Sequence, residues 1–239
     1  MLLAGKAIIL QTHKYGDQGM IARIFTRQRG LLSFLVKGVY NRRAHKVAML
    51  QPMNMVQLSF RLRDNTPLQL VQDLKVGLAY RQIPFDPVRL AQLSLIAEVM
   101  NKTLRELEPD EQLFDFLEDQ LVFLDEAPSA LPDFHLYFLL EFTRFMGIGP
   151  GHSYSETRCL FSPRDGDFLA EYRADCWKKE LSETFFLLMQ TPREMLAERQ
   201  SNRSLRNELL EKLLEYYRIH FPSLGEFKSP AVLSALFHS

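Results

Sequence analysis

The stretch GDQGMIARIFTRQRGLLSFLVKGVYNRRAHKVAMLQPMNMVQL, Gly16 to Leu58, decides how the chain is read. Inside it, MIARIFT (20–26) and LLSFLVKG (31–38) are short runs of β-branched, aliphatic and aromatic residues on either side of TRQRG, the pattern of a hairpin turning at Gly30. Working outward, GKAIILQTHKY (5–15) lies before this pair, and MVQLSFRLR (55–63) and LQLVQDLKV (68–76) lie after it. Gly16-Asp17, the NRRAHK segment, and Asp64-Asn65 before Pro67 punctuate them. Five strands in about 75 residues predict a small barrel, because a sandwich of the immunoglobulin kind needs about seven. The expectation is a five-stranded Greek-key barrel of the OB type.

The same stretch carries the charge. Residues 1–80 hold twelve Lys or Arg against three acids, a net of +9; the remainder holds 17 bases and 26 acids, a net of −9, so the chain's formal charge of +0 conceals a sharp segregation. From Gln18 to Arg63 there are nine bases and no acid. This is the pattern of a polyanion-binding module joined to an acidic body. Arg27 and Arg29 fall at the hairpin turn, Lys37 ends a strand, and Arg42, Arg43 and Lys46 crowd the loop that follows. Phe25, Phe34 and Tyr40 are interleaved with them. A basic groove with aromatic platforms suits single strands on an OB surface. Strand alternation points Phe25 and Phe34 into the barrel, which leaves Tyr40 as the stacking candidate.

From Pro84 the period becomes helical. Asp86 before Pro87 is a helix start, followed by Leu93, Ala97, Met100, Leu104 and Leu107 at spacings of three and four. A second helix begins near Pro109 with Leu113, Leu117, Leu121 and Leu124 on one stripe; Asp115, Glu118, Asp119 and Asp125 read as a solvated acidic face. Asp133 to Met146 is apolar almost all round, as a buried helix is, and Gly147 and Gly149-Pro150 stop it. Residues 151–175 lose the period and read as a loop or short ribbon. Helix resumes most clearly over Ser204–His220, with a Glu208–Lys212 pair beside its apolar face. The fold class is therefore α+β: residues 1–80 an OB-type barrel, residues 81–239 a mainly helical domain with an irregular insert near 151–176.

Composition narrows the function. The chain has 239 residues, 46% hydrophobic and 24% charged, ordinary for a globular protein large enough to bury a core. The first residues show no secretory leader, and no run is long and uncharged enough for a membrane helix, so a soluble cytoplasmic protein with no membrane partner is expected. There is no GxxxxGK[ST], no GxGxxG after a strand, no HExxH and no GxSxG, and the six histidines are scattered. No catalytic residues are assigned, and no enzyme is expected. Cys159 and Cys176, separated by sixteen residues without a CxxC, leave a tetrahedral zinc site incomplete. No metal and no cofactor are expected.

Several segments resemble the RecO family of bacterial recombination mediators. Phe25-Thr26, Gly30, Lys37-Gly38, Arg42-Arg43 and Leu50-Gln51-Pro52 match the family's N-terminal OB-fold pattern, while ELEPDEQLFDFLEDQL and FLLEFTRFMGIGP look like its helical core. The tail LGEFKSPAVL, with Lys228 and Ser229, is similar to its closing segment. Many members carry a four-cysteine zinc site in the region corresponding to 151–180, from which this chain departs. The resemblance implies a non-enzymatic DNA repair protein acting at the bacterial nucleoid. Such proteins bind single- and double-stranded DNA, anneal complementary strands, and load recombinase with RecR and single-strand-binding protein, whose acidic C-terminal tail they contact. For that tail the third helix offers Phe142, Arg144 and Phe145. For the DNA, Arg27, Arg29, Lys37, Tyr40, Arg42, Arg43 and Lys46 are the expected contacts. An RNA-binding OB module and a protein-interaction scaffold are the competing readings.

Overall fold

A computed structural model describes residues 1–40, 46–63, 66–104, 109–129, 131–199 and 202–236. Two compact units emerge, Met1–Glu126 and Ala127–Ser239.

The first unit begins with a closed five-stranded barrel: β1 (Leu2–Tyr15), β2 (Gly19–Thr26), β3 (Gly30–Lys37), β4 (Met55–Arg61) and β5 (Leu68–Val76), in the order β1-β2-β3-β5-β4. This is the OB-type barrel expected. All pairings are antiparallel except β3 with β5, and β1 closes the ring by pairing with β4 from Leu2 to Ile8 and with β2 from Ala7 to Tyr15. An irregularity between Ile9 and Gln11 bends β1 from one partner to the other. Alternate residues fill the interior, among them Ala7, Ile9, Ala22, Ile24, Phe34, Val36, Val56, Leu58 and Phe60. Phe34 therefore points inward as expected, with its ring edge-on to Phe60 at 4.9 Å.

Phe25 does not. It follows inward-facing Ile24, so the pleat turns it outward, where it stacks on Phe114 at 6.0 Å. Phe114 belongs to α3 (Glu111–Glu126); α2 (Pro87–Thr103) packs on β1. Asp86 caps α2 by accepting from the backbone N–H groups of Val88 and Arg89, with Pro87 at the first position. Leu107, assigned above to this stripe, lies outside the described residues, as does the Asp64-Asn65 turn.

The acidic side of α3 is not simply solvated. Asp115 and Glu111 hold Arg27 at 2.7 and 3.2 Å, and Glu118 holds Lys6 at 2.5 Å. Asp125 is buried: its carboxylate accepts the backbone N–H groups of Arg81, Gln82 and Ile83 at 2.8–3.0 Å. Burial pushes this carboxyl's pKa up. The bonds from Ile83, Arg81 and Gln82, with the Arg89 charge, push it further down, below the ordinary carboxylate range. Charged residues spaced along a helix face usually mean solvent; here the barrel's own cations and the chain entering α2 answer them.

The second unit contains α4 (Phe134–Phe145), a ribbon of β6 (Leu160–Ser162) and β7 (Asp167–Leu169), α5 (Lys179–Gln190), α6 (Arg203–His220) and α7 (Ser229–Leu236). Helix α4 is buried on most sides, as its composition predicts, and burial holds the His135 imidazole neutral by pushing its pKa down to about 3. The irregular segment proves to be a ribbon closed by aromatic rings. Phe161 meets Phe168, Trp177, Phe185 and Tyr216 at centroid distances of 5.2, 4.7, 4.8 and 5.8 Å. Asp167 ties the preceding loop down, accepting from the Ser153 hydroxyl and from the N–H groups of Ser153 and Phe168. On α6 the expected Glu208–Lys212 pair does not form: Lys212 turns to Glu215 at 2.7 Å, and Lys178 lies 3.7 Å from Glu208. Among the described residues no helix is long and apolar enough to cross a membrane.

Candidate nucleic-acid interface

Strand register sorts the basic residues of the barrel. In the β2–β3 hairpin, Thr26 faces Gly30 at one end and Gly19 faces Lys37 at the other. Seven residue steps separate these ends, about 23 Å at the rise of a strand. Among the described residues, Arg27 and Arg29 therefore lie at one end of the hairpin and Lys37 at the other.

At the Lys37 end, the β1–β2 turn brings up residues that the charge count did not single out. Tyr15 pairs with Gly19, so Lys14 and Tyr15 lie beside the end of β3. The Val39 N–H donates to the Gln18 carbonyl at 3.0 Å, tying the segment after β3 to the turn. Gly38 adopts a positive φ of 65°, which redirects the chain there at no steric cost. Tyr40 is 43% exposed, and the Lys14 ammonium stands 5.9 Å from its ring centroid, within cation–π range. Lys46 opens the short helix α1 (Lys46–Met49) and donates to the Lys37 carbonyl at 3.2 Å. Lys14, Lys37, Lys46, Tyr15 and Tyr40 thus share one end of the barrel. Arg42 and Arg43, between Tyr40 and Lys46 in sequence, lie outside the described residues.

At the opposite end Arg29 is exposed, its backbone N–H donating to the Thr26 hydroxyl. Arg27 is engaged by Glu111 and Asp115. Arg23, another base of the acid-free stretch, donates to the carbonyls of Asn101 and Leu104 at the C-terminal end of α2. A stretch without acids can still commit its cations to acids and carbonyls 78 to 88 residues away.

The partner-binding trio on α4 divides as well. Phe142 is fully buried and stacks on Tyr217, so it is a core residue and not part of a binding surface. Positions two apart on a helix point about 200° apart, which puts Arg144 on the opposite side. Arg144 is exposed and paired to Glu141 at 3.1 Å; Phe145 is half-buried. Arg144 and Glu141 line a cavity of about 420 Å³ with Leu140, Pro150, His152 and Met189. No signal in the sequence marked Pro150, His152 and Met189 as its neighbours.

Nor do the residues near the ribbon fit zinc. Cys159 and Cys176 are half-buried free thiols, and no three His, Cys, Asp or Glu side chains among the described residues are grouped to hold a metal ion. Phenylalanine and tryptophan rings occupy the ribbon's interior.

A closed OB-type barrel with a basic end, joined to a helical body, defines the class. The comparisons then fix the family. The family model "Recombination protein O N terminal" matches residues 1–77, and "Recombination protein O C terminal" matches residues 84–229. The chain is 31% identical over 240 residues to the DNA repair protein RecO of Phocaeicola vulgatus, covering 99% of this chain and 100% of that protein. It is 30% identical over 243 residues to the RecO of Christiangramia forsetii and 28% identical over 241 residues to that of Bacteroides fragilis, with the same coverage. The chain belongs to the RecO family of DNA repair proteins.

Proposed function

We propose that this protein acts without catalysis, binding single- and double-stranded DNA at the Lys37 end of the barrel and annealing complementary strands. In this reading it assists recombinase loading together with RecR and single-strand-binding protein, in the cytoplasm at the nucleoid. The observation that carries the reading is the convergence of Lys14, Lys37, Lys46 and Tyr40, with Arg42 and Arg43 between Tyr40 and Lys46 in sequence. Clustered cations lower the repulsion between two phosphate backbones, and exposed aromatics give bases a surface to stack on. Arg29, and Arg27 to the extent that its acids release it, form a second contact group at the far end.

Affinity measured against salt tests this. Replacing Arg42 and Arg43 with alanine removes two phosphate contacts, so the log–log slope flattens by roughly 1.4 for single strands and 1.8 for duplex. The loss is uniform across sequences, because phosphate contacts position without specifying. Annealing falls together with binding. A folded double variant with the parental slope and annealing rate removes Arg42 and Arg43 from the interface. Tighter binding to RNA than to a matched DNA favours the RNA reading, and no oligonucleotide binding at low salt favours the scaffold.

The single-strand-binding protein tail, acidic and hydrophobic-ended, fits the cavity beneath Arg144, where apolar Leu140, Pro150 and Met189 lie beside a cation. The Arg144→Ala variant is expected to fold normally and bind a tail peptide about tenfold more weakly, consistent with losing one charge-assisted hydrogen bond. Unchanged peptide affinity excludes the assignment.

A further inference from the structure

A second concavity of the first unit lies next to the basic end and has no role in the reading above. It is a groove of about 250 Å³ whose walls include Met49, Met55, Val76, Leu78, Tyr80 and Pro84. Its shape is fixed by specific contacts. Gly77 donates to the Met55 carbonyl at 3.0 Å, and a Cβ at position 77 would come within 2.8 Å of the Val56 backbone, so only glycine lets the end of β5 lie this close to β4. Met53 holds a φ of 63°, unusual for a residue with a side chain. It is clamped there by the 2.7 Å bond from its N–H to the Ile9 carbonyl and the 2.7 Å bond that its carbonyl accepts from the Tyr80 hydroxyl. Tyr80 is thereby held as a wall of the groove.

The surroundings are apolar and cationic together. Val76, which lines the groove, is 57% exposed, and Phe85, the residue after the lining residue Pro84, is 84% exposed. Exposed apolar side chains beside a groove are a feature of binding surfaces. Lys46 begins the helix whose Ala48 and Met49 line the groove, and its bond to the Lys37 carbonyl makes the groove continuous with the basic end. Lys75 adjoins Val76; its pairing to Asp73 at 3.0 Å is solvated and readily exchanged. The volume falls below the roughly 300 Å³ at which pockets for drug-sized molecules begin, which suits a single ring system.

We propose that this groove receives an unstacked nucleobase of a bound single strand, with Phe85 as the stacking face and Lys46 and Lys75 beside the flanking phosphates. The inference rests on the DNA-binding reading and adds a base-dependent subsite to it. A subsite of this kind favours single strands over duplex, since a paired base cannot enter.

The test compares fluorescence anisotropy on an oligothymidylate and on an abasic phosphodiester of equal length, which has the charge without the bases. The parental protein is expected to bind the oligothymidylate roughly five- to a hundredfold more tightly, the range of one stacked base. Two variants follow: Phe85→Ala removes the stacking face, and Ala79→Leu fills the groove from an exposed position. Both should lose most of that preference and keep the abasic affinity. Equal parental affinity for the two ligands overturns the subsite and leaves electrostatic DNA binding standing. Failure to bind either ligand overturns both readings. If the variants keep the oligothymidylate preference but lose binding of an acidic, hydrophobic-ended peptide, the groove is a peptide site and the nucleobase assignment is wrong.

Discussion

Replacing Asp125 with alanine should destabilise the barrel-containing unit by roughly 3–5 kcal/mol, the usual cost of removing one partner from a buried charged network. The carboxylate accepts from three consecutive backbone N–H groups, Arg81, Gln82 and Ile83, where the chain leaves the barrel and enters α2. Its loss orphans those donors and strips a nearby negative charge from the buried Arg89, which also donates to the Leu124 carbonyl at 2.8 Å. Asparagine keeps one acceptor oxygen and should cost less. The pH dependence has a definite sign. The folded pKa lies below the ordinary value of about 3.9, so the contribution is complete above that value and disappears as the pH falls through the folded pKa. Urea unfolding at neutral pH and again below pH 4 should show a deficit that shrinks with acid. Coincident curves for parent and Asp125→Ala at neutral pH would refute the role.

The second large effect is expected in the ribbon. Phe161 is fully buried and meets four other rings, so Phe161→Ala should cost about 3–5 kcal/mol. The double variant Cys159→Ser/Cys176→Ser should cost less than about 1 kcal/mol, both thiols being half-buried and unpaired. A chelator is expected not to move the transition, since ring packing and the Asp167 tie hold this segment. The chain's single tryptophan, Trp177, lies 4.7 Å from the Phe161 ring and reports local unfolding directly. Stoichiometric zinc in protein purified without added metal, or a chelator-induced fall in Tm, would contradict this.

What the sequence makes legible follows from the range of each interaction. Alternation is local, so the five strands and the inward ring of Phe34 can be read directly. Phe25 is misread as an inward ring: Ile24 takes the inward place, and the cover that makes an outward phenylalanine favourable, Phe114, lies far along the chain. The acidic face of α3 is misread for the same reason, since its partners Lys6 and Arg27 stand 112 and 84 residues before Glu118 and Glu111. The site is half legible. Charge density finds Lys37 and Lys46, and the hairpin turn sets Arg27 and Arg29 apart, but only register shows that Lys14 and Tyr15 belong with Lys37. On α4, composition suggests an apolar pocket beside Arg144, yet helical rotation sends Phe142 into the core.

Strand β1 has a consequence for how the chain reaches this structure. The ring closes where Leu2 pairs with Arg61, so β1 must wait for β4, some sixty residues later, to complete its hydrogen bonding. Even then the outward ring of Phe25 lacks its cover until Phe114 has emerged, and the entry to α2 lacks its anchor until Asp125 has. Pairings this distant in sequence are slow to form, because the entropy of closing the loop is lost before any contact offsets it. During synthesis the first 80 residues can close the barrel but wait with an apolar outer face open to solvent. A nascent chain halted there should attract chaperones, and one halted after residue 126 has cleared the exit tunnel should not.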